Sequence, residues 1–217
     1  MRDCIIAGGP NIWEQAAIVA RTCDVVICAD SGADFAIANG IPIDKVLGDF
    51  DSLSSEGKAY LDSSNISCEV YPCEKDETDT EICFNSLPKD DEIVLICSIT
   101  GRIDHVMANI NLAMKHHQMG RKVTLTDGQT DIIPMSGVEQ VDISGIADPE
   151  TIVISLVPLG EGRVEGVTTK GLYYSLDSAI LEFGSTFSIS NKLIEGESSF
   201  SISMTKGNML LVIGKNQ

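Results

Sequence analysis

Short β-branched runs alternate with segments of helical period from residue 3 to about residue 126, and no other feature of the chain narrows its fold as much. The runs are Cys4-Ile5-Ile6-Ala7, Val25-Val26-Ile27-Cys28, Lys45-Val46-Leu47, Glu69-Val70-Tyr71, Ile93-Val94-Leu95-Ile96 and Lys122-Val123-Thr124-Leu125. Parallel neighbours cannot be joined by a tight hairpin and use a crossover, usually a helix, so this alternation predicts a mostly parallel sheet flanked by helices. One helix should begin near Asn11, a good N-cap, and run to about Thr22. A second should follow Asp104, with Ile103, Val106, Met107, Ile110 and Met114 on its apolar face and Gly120 at its end.

Beyond about residue 130 the pattern changes to short strands separated by Gly, Pro, Ser and Asp, as in Thr151-Ile152-Val153-Ile154-Ser155-Leu156-Val157-Pro158. In Ser199-Phe200-Ser201-Ile202-Ser203-Met204 the apolar residues fall on one face and the serines on the other, as in a half-buried antiparallel strand. Lys206-Gly207-Asn208 turns it into Met209-Leu210-Leu211-Val212-Ile213. The reading is an α/β domain over residues 1–130 and an all-β domain over 131–217.

Composition removes several functions. The chain has 217 residues and 43% apolar content, but no run approaches the ~20 apolar residues that span a bilayer. With a short apolar run after Met1-Arg2-Asp3 and no cleavage pattern, residence in the cytoplasm is expected. A formal charge of −17 opposes any partner bound mainly through its phosphate backbone, which excludes a nucleic-acid role. The seven cysteines include no C-x-x-C pair, so they read as thiols rather than as a zinc or disulfide framework. His116 and His117, late in a helix, read as solvent-facing.

Ligands of open parallel sheets bind beyond the carboxyl ends of the strands. Carboxylates gather there: Ala29-Asp30-Ser31-Gly32, Gly48-Asp49-Phe50-Asp51-Ser52, Lys75-Asp76-Glu77-Thr78-Asp79 and Gly101-Arg102-Ile103-Asp104-His105. Like charges so placed repel unless a cation shares them, and a hard all-oxygen set favours Mg²⁺. Asp49, Asp51 and Asp79 are the candidate ligands, although Asp49, Asp51 and Ser52 also suit a loop that caps the next helix. Arg102 offers a planar cation for phosphate or for charge developing at phosphorus, its alternative being a surface salt bridge. Gly8-Gly9-Pro10-Asn11 is neither a Walker A loop nor G-x-G-x-x-G; its backbone N–H groups could approach phosphate, or its glycines could simply make the turn. His105 could touch a base or phosphate.

In order and approximate spacing, Gly48-Asp49-Phe50-Asp51-Ser52, Asp76-Glu77-Thr78-Asp79 and Gly101-Arg102-Ile103-Asp104-His105 with Asn109 closely resemble the thiamine pyrophosphokinase family. Lys170-Gly171-Leu172-Tyr173-Tyr174 and Ser188-Ile189-Ser190-Asn191 resemble its C-terminal signatures. The resemblance implies an α/β nucleotide domain, a β-sandwich, a homodimer, and Mg²⁺-dependent transfer of diphosphate from ATP to thiamine, leaving AMP. It further implies that Asp49, Asp51 and Asp79 hold Mg²⁺, that Arg102 and Asp104 serve the ATP end as catalytic residues and that Asp30 lines the nucleotide site; Gly9, Asn11, Gly101 and His105 are further candidates for that end. Asp76, Thr78, Ser190 and Asn191 would approach thiamine. Functional motifs divided between two halves, together with the resemblance to dimers, suggest active sites shared between two chains. Leu193 stands where eukaryotic members have a tryptophan two residues after the asparagine, leaving Tyr173, Tyr174 or Phe187 as substitutes over thiamine. The residues alone leave open a metal-dependent phosphohydrolase, a nucleotide-sugar transferase or a non-catalytic nucleotide sensor.

Overall fold

Strands buried on both faces read as continuous apolar runs, and the first half of the chain is built on them. In the computed structural model, which describes residues 1–160 and 162–215, β1 (Arg2–Ala7), β2 (Val25–Ala29), β3 (Lys45–Gly48), β4 (Ser67–Val70), β5 (Glu92–Ile96) and β6 (Val123–Thr126) pair in parallel in the order β4-β3-β2-β1-β5-β6. Side chains alternate along each strand, so helices cover both faces. Cys4, Ile6, Val26, Cys28, Val46, Val94 and Ile96 pack with Ala16, Ala17 and Ala20 of α1 (Glu14–Ala20), Ala33 and Ala36 of α2 (Gly32–Ala38), and Leu61 of α3 (Ser55–Ser63). The alanines let those helices lie close to the sheet. Ile5, Leu47, Ile93 and Leu95, fully buried, have the opposite parity; α4 (Asp79–Ser86) packs on β1, β2 and β3, and α5 (Ile103–Gln118) on β6.

Two helices differ from their expected form. The first starts at Glu14, not Asn11, because Asn11 adopts a left-handed φ of 59° and donates its amide to Thr100 Oγ1 at 3.0 Å. On α5 the buried face carries Ile110, Leu112, Ala113, Met114 and His116, whereas Ile103 and Met107 are exposed. The first turn of α5 therefore stands clear of the core. Gly120 does end this helix, with φ 95° and its N–H on the His117 carbonyl.

His116 corrects the expectation of a solvent-facing histidine. It is 3% exposed and stacks on Phe84 with ring centroids 4.6 Å apart. Arg121 Nη1 lies 3.2 Å from His116 Nδ1, so the ring accepts there and is neutral. The same buried guanidinium donates to the carbonyls of Phe84, Leu87, Pro88 and Lys89, the chain that leaves α4. Burial and the neighbouring Arg121 push the His116 pKa down to about 4. His117 is half-buried.

By contact density the chain divides into Met1–Gln129 and Thr130–Gln217. In the second unit β7 (Asp131–Ser136), β13 (Asn208–Lys215) and β9 (Ile152–Pro158) are antiparallel neighbours. Opposite them β11 (Ala179–Glu182), β10 (Arg163–Lys170), β12 (Phe200–Met204) and β8 (Glu139–Ile143) form an antiparallel sheet in that order. One core joins Met135, Ile154, Leu156, Met209 and Leu211 from the former strands to Val164, Val167, Leu181, Phe200, Ile202 and Met204 from the latter, which makes the unit a β-sandwich. Among the described residues no helix is long and apolar enough to cross a membrane.

Candidate active site

Strand β1 sits between β2 and β5, so the connections after β1 and β5 diverge and leave a crevice beyond their carboxyl ends. A cavity of about 620 Å³ opens there. Its walls are Gly8, Gly9 and Pro10 after β1, Asp30 and Ser31 after β2, and Asp49, Asp51 and Ser52 after β3. The β4–α4 loop adds Cys73, Lys75, Thr78 and Asp79, and the chain after β5 adds Ser98, Thr100, Gly101, Arg102, His105 and Asn109. Gly8 lies close against Ser31: a β-carbon there would lie 2.0 Å from Ser31 Oγ and 3.1 Å from its Cβ.

Local backbone chemistry aims the carboxylates. Asp30 has φ 45° and Phe50 φ 60°, left-handed conformations that turn the chain sharply off β2 and β3. Asp49 accepts the Asp51 backbone N–H at 3.2 Å, which, with Lys75, holds its carboxyl below the usual range. Asp51 is exposed and accepts the Ser52 hydroxyl at 2.8 Å. Thr78 caps α4 by accepting the Glu81 N–H at 3.2 Å, placing Asp79 in the first turn. Asp30, 8% exposed, is pushed up by burial above all, and its Oδ1 has no hydrogen-bond partner.

The expected ligand trio falls into two sets that share Asp49. Asp30, Asp49 and Asp79 bring one oxygen each within 4.8 Å of one another, and Asp49, Asp51 and Cys73 do the same with two oxygens and a sulfur. Lys75 stands in the inner set, its Nζ 3.4 Å from Asp49 Oδ2 and 3.2 Å from Asp79 Oδ1. The sequence reading passed over Lys75 and Cys73 as site residues, although Lys75 and Asp79 have the i,i+4 spacing of an ion pair.

Arg102 lines the cavity but spends its guanidinium on Asp104, Nε to Oδ1 at 3.2 Å and Nη2 to Oδ2 at 2.6 Å. Both side chains are exposed, so a stronger anion can take over the fork. Asp76 and Asp104 do not line the cavity, and Asn11 reaches its rim only through Thr100.

Ser190 and Asn191 belong to the second unit. The Asn191 side chain clamps a loop: Oδ1 accepts the N–H groups of Tyr174 at 3.0 Å and Lys192 at 2.9 Å, and Nδ2 donates to the Tyr174 carbonyl at 2.8 Å. Ser190, at φ 62°, donates its N–H to Ser155 Oγ at 3.0 Å. Asn191 also borders a largely apolar cavity of about 290 Å³, with Ile154, Leu156, Leu172, Tyr174 and Phe187 among its walls. Leu193 is 6% exposed and bridges Leu172 in the core, whereas Tyr174 and Phe187 are exposed.

Residues 16–125 match the family model described as thiamin pyrophosphokinase, catalytic domain, and residues 139–209 match thiamin pyrophosphokinase, vitamin B1 binding domain. Thiamine pyrophosphokinase of Bacillus subtilis (strain 168) is 31% identical over 211 residues, covering 96% of each chain. Thiamine pyrophosphokinase 1 of Oryza sativa subsp. japonica is 26% identical, over 87% of this chain and 76% of that one. The crystal structure of the Bacillus subtilis protein superposes with a TM-score of 0.82 at 27% identity over the whole of both chains. Thiamin pyrophosphokinase from Candida albicans has the same fold, with a TM-score of 0.80 at 19% identity, over 100% of this chain and 89% of that one.

Proposed function

From the premise that the chain belongs to the thiamin pyrophosphokinase family, we propose how its own residues carry out diphosphate transfer from ATP to the hydroxyethyl group of thiamine. The chain is a diphosphotransferase of that family, with ATP as co-substrate. The alcohol oxygen attacks the β-phosphorus and AMP leaves, so the protein's task is to align the two reactants and to offset phosphate charge.

One observation carries the assignment of the site: carboxylates from successive strand ends surround a cavity in which a buried Asp30 oxygen has no partner. That all-oxygen set fits Mg²⁺. Asp49, Asp79 and Asp51, with Asp30 beside them, would hold the ion, which would neutralise the phosphates and polarise the phosphorus under attack. Lys75 keeps Asp49 and Asp79 together until the metal enters, and its ammonium is then available to phosphate. Arg102 exchanges Asp104 for a phosphate oxygen pair. Gly9, Gly101 and His105 border the ATP end, where Asn11 acts through Thr100, and Thr78 borders the thiamine end. The acidic walls attract the thiazolium cation. Asn191 and Ser190 serve thiamine from the β-sandwich, Asn191 chiefly by fixing the Tyr174 loop, and two chains share each site in a homodimer. Residence in the cytoplasm, where ATP is supplied, belongs to the same proposal.

The test is product analysis with ATP, Mg²⁺ and thiamine. AMP with thiamine diphosphate is expected. ADP would mean a monophosphoryl kinase, free phosphate a hydrolase, and ATP binding without turnover a sensor.

A further inference from the structure

The loop between β4 and α4 puts a thiol where Mg²⁺ chemistry needs none. Cys73 is exposed and lines the same cavity as the carboxylates. Its sulfur and one oxygen each from Asp49 and Asp51 lie mutually within 4.8 Å. Three protein ligands with an open position are the make-up of a catalytic-type zinc site. Asp30 stands beside the carboxylate that both sets share: it is 8% exposed, its Oδ1 has no partner, and it brings an oxygen within 4.8 Å of Asp49. Lys75 pairs with two carboxylates of the inner set, Asp49 and Asp79, but among the described residues with Asp49 alone of the outer set, so the outer set keeps the larger share of unbalanced negative charge. Cys68, the other exposed cysteine, belongs to no such cluster among the described residues.

The geometry points to a second metal-binding mode: a thiophilic divalent ion of the Zn²⁺ or Cd²⁺ class held by Cys73 Sγ, Asp49 and Asp51, and excluding Mg²⁺ from those carboxylates. A metal–sulfur bond replaces the S–H bond, and the proton passes to buffer. Thiolate selects soft ions, whereas Mg²⁺ takes oxygen alone, so Cys73 determines which ion wins at shared Asp49 and Asp51. The inference rests on the placing of those two carboxylates in the proposed active site, not on the reaction catalysed.

The experiment titrates the reduced full chain, free of metal and nucleotide, with cadmium chloride and follows the ultraviolet thiolate-to-cadmium charge-transfer band. A band that saturates at about one ion per chain is expected, lost in Cys73→Ser and kept in Cys68→Ser. Asp51→Asn should require at least about tenfold more Cd²⁺, and excess Mg²⁺ should also raise the midpoint. Circular dichroism verifies the fold of each variant. No band in the native chain, a band that survives Cys73→Ser, or a midpoint indifferent to both Asp51→Asn and Mg²⁺ would overturn the inference. Product analysis in Mg²⁺ alone judges the proposed reaction separately, because the absorption band needs no turnover.

Discussion

Replacing His116 with asparagine should change how stability depends on pH, and the structure sets the size of the change. In the folded chain the ring is neutral, because Nδ1 accepts from Arg121 and the whole side chain is buried. Its pKa falls from 6.5 to about 4, so the unfolded chain binds this proton first as the medium is acidified. The stabilisation is complete above about pH 6.5, shrinks as pH falls and is exhausted near pH 4, where the folded form also takes the proton. Linkage between those two values gives a loss of about 1.4 kcal/mol at pH 5.5 and about 2.5 kcal/mol at pH 4.5. Asparagine still offers an acceptor to Arg121 but does not titrate, so the variant lacks this loss and has only a constant deficit from the lost stack on Phe84. Urea unfolding from pH 8 to 4.5 should therefore show the gap between the two proteins narrowing by about 2.5 kcal/mol, with every other titrating group cancelling in the difference. A gap constant to about 0.5 kcal/mol would refute the buried neutral imidazole.

Asp49→Asn, Asp51→Asn and Asp79→Asn should each lower turnover by at least about a hundredfold with the melting curve preserved, and near-normal rates in all three would remove the metal assignment. Lys75→Met should melt lower than the native chain in chelator, by about 1–3 kcal/mol of stability, because Asp49 and Asp79 then face each other without a cation. Added Mg²⁺ should raise its melting temperature more than that of the native chain; an equal rise would show that Lys75 does not compete for the site. If, as proposed, two chains share each site, refolding Asp79→Asn with Asn191→Ala chains in equal amounts should restore about a quarter of native activity, since half of random pairs are mixed and each holds one intact site. No recovery, with exchange of subunits demonstrated, would place each site within a single chain.

The fold was readable because two periods dominate the sequence. Buried parallel strands give runs such as Ile93-Val94-Leu95-Ile96, the sandwich gives the alternation of Phe200, Ile202 and Met204, and both are local signals. The aspartates at the strand ends were equally visible, since the topology dictates where a carboxyl end must lie. What stayed hidden depends on partners distant in sequence. His116 looked like a helix-end histidine, and only Phe84 and Arg121, brought in by α4 and the chain after α5, make it part of the core. Lys75 and Cys73 sit in a loop without periodicity, and their role arises from meeting Asp49 across 26 and 24 positions. The Asn191 amide also clamps the Tyr174 backbone, a bond that no spacing rule reveals.

The left-handed backbone at Asp30 narrows the route by which such a site can drift. Aspartate and asparagine visit that region far more readily than other residues with a β-carbon, so the residue that carries the unpartnered carboxylate oxygen is also the one that makes the bend off β2. Glycine would keep the bend and lose the charge, glutamate would keep the charge and strain the bend, and asparagine would keep the bend and the side-chain outline without the charge. A lineage that abandons catalysis should therefore leave a readable scar, asparagine or glycine at position 30. An alanine or glutamate there would signal that the loop itself had been rebuilt.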